Sequence, residues 1–204
     1  ADYYTPEQQI GRYDDRRSWE TCMTLGTQWS WKPNDKIKSV SEVIHILARV
    51  VGGDGNLLLD VGPMPDGRIE PRQADVLRQV GAWLRDNGES IYGTRGGPFQ
   101  PTPALVSTRK ANVVYVHILK WTNETVTLPP LPKKIVRSQL LTGGPVAVVQ
   151  TDAGITLTVP QPPEQCADTI VKLTLDGPAQ EVPPREVARP GLLRPDMQAA
   201  AGPT

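Results

Sequence analysis

Gly55-Asn56-Leu57-Leu58-Leu59-Asp60-Val61-Gly62-Pro63 is a short, nearly continuous apolar run closed by Gly and Pro. It lacks polar alternation, so neither face is marked for water. Such runs are typical of strands covered on both faces, as in parallel sheets. A strand of this kind is expected to have neighbours and not to lie at a sheet edge. Pro65-Asp66-Gly67 follows as a turn, with Pro presetting φ and Gly accepting a positive one.

On either side lie two amphipathic segments. From Lys38 to Val51 the apolar residues Val40, Val43, Ile44, Leu47 and Val51 recur at helical steps. Ser39 or Ser41 can cap the start, and Gly52-Gly53 ends the segment. The second helix is expected from Pro71 to Asn87, with Val76, Leu77, Val80, Trp83 and Leu84 as its stripe. Pro is tolerated at a first helical position, and Asn87-Gly88 supplies the stop. Helix, buried strand, helix is a piece of an α/β fold. With two or three strands at most it cannot close a sheet, so a front half is expected upstream.

Past Pro98 the texture changes. Short β-rich segments are predicted at 104–107, 112–119, 124–128, 135–141, 146–150, 154–159 and 169–175. Pro129-Pro130, Gly143-Gly144 and Asp152-Ala153-Gly154 lie among the turns between them. Short strands at regular intervals argue for a β-sandwich. Residues 178–204 are rich in Pro, Ala and Gly, and the sequence predicts a disordered tail there. The expected fold class is therefore α/β plus all-β, with units at 1–97 and 98–177 and the tail at 178–204.

The 22 basic residues cancel the 22 acidic ones. A balanced chain with no basic block carries no footprint for nucleic acid or an anionic membrane. No apolar run approaches the ~20 residues of a membrane span. Cys22 and Cys166 are too few for a disulfide scaffold and lack metal-ligand spacing. Asp54, Asn56 and Asp60 fail the calcium-loop pattern, and no phosphate-cradling loop or zinc pattern is present, so no cofactor and no metal are expected.

Six of the eleven aromatic residues fall in the first 31 positions: Tyr3, Tyr4, Tyr13, Trp19, Trp29 and Trp31. Among them lie Asp2, Glu7, Asp14, Asp15 and Glu20. Rings that cover the C–H face of a pyranose, beside carboxylates that bind hydroxyls or move protons, are a combination suited to sugars.

Five motifs come in order: Asp2-Tyr3-Tyr4-Thr5-Pro6-Glu7-Gln8, Ser18-Trp19-Glu20-Thr21-Cys22, Gly26-Thr27-Gln28-Trp29-Ser30-Trp31, the run from Gly55 to Gly67, and the segment from Gly81 to Thr94. This series resembles the alpha-L-fucosidases of glycoside hydrolase family 29, closely over residues 1–97 and loosely to Gly177. The resemblance implies the last strands and helices of a (β/α)8-type (TIM-like) catalytic barrel, followed by the β-sandwich. It implies a retaining, metal-free, two-carboxylate hydrolysis of terminal α-L-fucose from oligosaccharides or glycoconjugates. Glu7 matches the family's general acid/base, and Trp29 the aromatic wall beside the fucose methyl. The nucleophilic aspartate is expected upstream of Ala1, so these 204 residues alone are expected to be inactive. A secreted, periplasmic or lysosomal setting is implied by the family alone.

Three positions depart from the family pattern. Ala1 stands where Gly is common, Trp31 where Tyr is frequent, and Asp60 where Asn is usual. Asp60 reads as a structural hydrogen-bonding residue. Other readings stand beside these. Glu7 after Pro6 also fits the first turn of a helix, and Glu20 is its rival as the acid. Trp19, His45 and His117 read as structural. Asn123-Glu124-Thr125 fits a glycosylation acceptor if the chain is secreted in a eukaryote. The alternative function is a non-catalytic β-sandwich that binds carbohydrate or a partner.

Overall fold

The computed structural model describes residues 2–122, 124–163 and 166–187. Asn123 of the glycosylation motif and residues 188–204 of the expected tail lie outside them. The N-terminal unit is built on strand β1 (Glu20–Thr24), helix α1 (Val40–Gly52), strand β2 (Asn56–Asp60) and helix α2 (Pro71–Asn87). β1 and β2 pair in parallel, Cys22 opposite Leu58 and Thr24 opposite Asp60. A third extended segment runs parallel on the far edge of β1, bridging Tyr4 to Trp19 and Glu7 to Cys22.

α1 starts at a capping box. The Ser39 side chain accepts from the Glu42 N–H, and the Glu42 carboxylate accepts from the Ser39 N–H. Its apolar surface is wider than one stripe. Val43 and Ile44 pack with Leu25 and Val80, whereas Ala48 packs with Val106 and Leu119 of the following unit. α2 spans the expected residues and opens on Pro71.

β2 departs from the expectation of a strand with neighbours on both edges. Among the described residues it pairs with β1 alone. Leu59 and Val61 join the helix-side core, while Leu58 on the other face is 44% exposed. The physical reason is that the helices cover one face and no described strand continues the sheet.

The second unit holds β3 (Arg95–Gly96), β4 (Leu105–Lys110), β5 (Val113–Ile118), β6 (Thr125–Leu128), β7 (Ile135–Leu140), β8 (Ala147–Thr151), β9 (Gly154–Thr158) and β10 (Thr169–Leu175). All pairs are antiparallel, in a five-stranded sheet β3-β4-β5-β10-β7 and a three-stranded sheet β6-β9-β8. Val114, Val116, Val171 and Leu173 from one sheet meet Leu128, Ile155 and Leu157 from the other in one buried core.

Two edges of this unit differ from the expected 98–177. Arg95 and Gly96 already pair with β4. Beyond 177, the segment to Val187 is packed and is no free tail. Ala179 and Val182 are buried in the core, Arg109 donates to both of their carbonyls, and Arg185 donates its N–H to Pro98. Two small apolar residues three apart on a short 3-10 turn supply burial that composition alone does not reveal.

Polar clasps join the units. Asp54 holds the Arg95 guanidinium and accepts the Gly96 N–H at 2.6 Å. Thr108 donates to Ser90 O at 2.6 Å. Both histidines converge on one segment, His45 Nε2 on Ala167 O and His117 Nδ1 on the Asp168 carboxylate, each at 2.6 Å. These placements fit the structural reading of both imidazoles.

Candidate active site

Three parallel extended segments direct their C-terminal ends the same way, so the turns after Glu7, Thr24 and Asp60 gather at one end of the unit. Glu7 is exposed there. It lies in an extended bridge to β1 and not in the first turn of a helix. Pro6 O accepts from Cys22 N–H at 3.2 Å, and Gln8 N–H donates to Cys22 O at 2.8 Å, so β1 brackets Glu7 on both sides. The buried Thr21 hydroxyl lies 3.1 Å from Pro6 O and 2.6 Å from Gln9 O, tying down the same turn.

Trp29 sits on the loop between β1 and α1 and is 40% exposed. That loop is shaped by Asp35, whose buried carboxylate accepts from Thr27 N–H at 2.8 Å, the Thr27 hydroxyl at 2.5 Å and Lys36 N–H at 2.8 Å. Lys32 pairs with it at 3.2 Å. The Thr27 hydroxyl, then the backbone and Lys32 bonds, hold this carboxyl well below the usual carboxylate range, against the opposing effect of burial. Lys38 Nζ donates to Thr24 O at 2.6 Å and to Gly26 O at 3.2 Å, closing the loop root onto β1. Trp31 Nε1 donates to Glu70 at 3.0 Å, and Arg72 pairs with the same carboxylate.

The loop also touches the end of β2. A Cβ at Gly62 would lie 2.4 Å from Trp31 N and 2.9 Å from Trp29 O, so only glycine permits this approach. Glu7 and Trp29 thus occupy neighbouring turns at one end of the sheet. Glu20 instead begins β1, two residues before the Cys22 that pairs with Glu7, and lines a cleft of about 880 Å³ with Arg16, Arg17, Asn56, Tyr92 and Arg95. Neither Glu7 nor Trp29 lines that cleft. Asp60 departs from its expected bonding role. Its backbone carbonyl accepts from Leu25 N–H at 2.9 Å, but its Oδ2 is buried and unpartnered among the described residues.

Residues 1–89 match the profile of the alpha-L-fucosidases. Over this stretch the chain matches the alpha-L-fucosidase family. An alpha-L-fucosidase of Branchiostoma floridae is 31% identical over 161 residues, 71% of this chain and 35% of that protein. The plasma alpha-L-fucosidase of Homo sapiens is 34% identical over 127 residues, 58% of this chain and 27% of that protein. The chain therefore spans from 21% to 35% of the length of the curated fucosidases it matches. Among solved structures, alpha-L-fucosidase isoenzyme 1 of Paenibacillus thiaminolyticus superposes with a TM-score of 0.76 at 29% identity, over 86% of this chain and 45% of that one. The Thermotoga maritima alpha-fucosidase in complex with fucose superposes with a TM-score of 0.67 at 28% identity, over 78% of this chain and 40% of that one.

Sequence reading alone did not single out Thr21, Thr24, Asp35 or Glu70, which shape the turns around Glu7 and Trp29. Their partners lie 2 to 39 residues away, and the signal available was only polar residues inside aromatic motifs. For Asp35 the consequence is measurable. A carboxyl depressed in the folded state contributes stability that is full above its unfolded value of about 3.9 and is lost as pH falls through the folded value. The stability gap between wild type and Asp35→Asn is therefore expected to be constant from about pH 5 to 8 and to shrink below about pH 4. Urea titrations across that range check it. A gap that widens on acidification would contradict the assignment.

Proposed function

We propose that these residues form the C-terminal part of a retaining alpha-L-fucosidase, with residues 1–97 completing a (β/α)8-type barrel and the sandwich buttressing it. The observation that carries the reading is the placement of Glu7 and the Trp29 loop on neighbouring turns at the C-terminal ends of parallel segments. That is the end at which barrel enzymes keep their chemistry. The open face of β2, with Leu58 exposed, is the kind of surface that further barrel strands would cover.

In this reading Glu7 is the general acid/base. As an aspartate from an earlier strand attacks C1 of the fucoside, the C1–O bond breaks and the departing oxygen takes the Glu7 proton. Water then attacks C1, Glu7 takes the water's proton, and the bond to the aspartate breaks. Trp29 would offer an apolar wall to the C6 methyl, favouring fucose over a sugar with a polar hydroxymethyl by about 1–3 kcal/mol.

The test is hydrolysis of 4-nitrophenyl α-L-fucoside by the complete gene product, with the first-formed anomer read by proton NMR. Release of α-L-fucose is expected. Initial release of the β anomer would sink the retaining mechanism, and no hydrolysis would sink the fucosidase reading. The 204 residues alone are expected to release no nitrophenol.

A further inference from the structure

The residue after Glu7 is held in an unusual way. Gln8 has φ = 54°, in the left-handed region that residues with a Cβ rarely occupy. Such a conformation persists only where surrounding contacts impose it. Here both ends of the side-chain amide are engaged. Gln8 Nε2 donates to Thr24 Oγ1 at 3.2 Å, and Gln8 Oε1 accepts from Thr24 N–H at 3.4 Å. The Thr24 hydroxyl in turn donates to Gly26 O at 2.9 Å, where the Trp29 loop begins. Thr24 is buried, so this clasp is fixed to the strand interior and not to a mobile surface group. Three hydrogen bonds therefore run from the Glu7 turn to the root of the Trp29 loop.

We propose that Gln8 is a positioning residue that aims Glu7 and sets its turn against the Trp29 loop through Thr24. The proposal rests on the reading of Glu7 as acid/base. Among the described residues Glu7 is exposed and its segment bridges β1 alone. Proton transfer to a departing oxygen requires hydrogen-bond reach, and a displacement near 1 Å can cost about 100-fold. The amide clasp ties the backbone beside the carboxylate to β1, and the left-handed backbone turns the chain just after it.

The test uses the complete protein with Gln8→Gly, because glycine accepts the positive φ while losing both side-chain bonds. For a fucosyl disaccharide, whose leaving group needs a proton, kcat/KM is expected to fall about 10- to 100-fold. For 2,4-dinitrophenyl α-L-fucoside, whose leaving group needs none, the loss is expected to stay within about threefold. Thr24→Val should give a smaller loss of the same pattern, and the double variant should lose less than the product of the two. Equal loss on both substrates, or no loss, would overturn the proposal. Glu7→Ala separates this from its parent reading. If Glu7→Ala lacks the leaving-group dependence, the acid assignment fails. If Glu7→Ala has it and Gln8→Gly does not, this proposal fails alone. Hydrogen exchange gives a readout free of activity. In Gln8→Gly the amides of 4–9 and of 25–31 are expected to exchange faster together, and a change confined to 4–9 would refute the link to the Trp29 loop.

Discussion

Glu7→Ala in the complete protein is expected to lower kcat/KM for fucosyl disaccharides by about 10²- to 10⁴-fold, the usual contribution of a positioned general acid. With 2,4-dinitrophenyl α-L-fucoside the first step should stay nearly intact, because that leaving group departs unprotonated. Loss of the base then stalls the second step. Azide, which needs no deprotonation, should restore turnover and yield α-L-fucosyl azide. The fold gives this experiment a clean background. Glu7 is exposed and its backbone bonds to β1 involve Pro6, Gln8 and Cys22, so truncating its side chain should change stability by no more than about 0.5 kcal/mol. A uniform loss across leaving groups with no azide effect would make Glu7 a structural residue. The same signature in Glu20→Ala would move the acid to the start of β1.

Trp19→Ala is expected to have the largest effect on stability, about 3–5 kcal/mol. The ring is 3% exposed and donates Nε1–H to Gly53 O at 3.1 Å. Three glycines form its cradle. A Cβ at Gly11, Gly53 or Gly55 would come within 3.0, 2.9 and 2.4 Å of ring atoms. The indole thus fills the space where the chain enters β1 and leaves α1 for β2, and its removal leaves a cavity that three backbone segments must collapse into. Urea unfolding of wild type and variant measures this. A loss below about 1 kcal/mol would mean that the ring is peripheral to the fold. The result would also decide the role of the Ser18-Trp19-Glu20 motif, as an anchor for the strand ends and not a sugar platform.

Much of the architecture was legible in short-range pattern. α2 begins at Pro71 and ends at Asn87 as its stripe and stop predict, and β10 spans 169–175 as expected. α1 takes Ser39 of the two candidate caps, because Glu42 three residues on completes the reciprocal bonds. β1 was not legible. Glu-Thr-Cys-Met-Thr has neither an apolar run nor β-branched alternation, and its buried Thr21 and Thr24 are satisfied by carbonyls of Pro6, Gln9 and Gly26. A polar residue that finds its partner only after the chain has folded back gives no local signal.

The site divides along the same line. Order and spacing of the aromatic and acidic motifs pointed to a family, because residue identity is written in the chain, and Glu7 and Trp29 followed only as what that resemblance implies. Tertiary structure alone set Glu7 opposite Cys22 at the middle of β1 with Glu20 at its start, left Asp60 Oδ2 without a donor among the described residues, drew Ala179 and Val182 into the sandwich core and locked Gln8 to Thr24. Parallel pairing is the physical reason. It joins segments 15 and 36 residues apart in register, Glu7 with Cys22 and Cys22 with Leu58, and only that register determines which side chains share an end of the sheet.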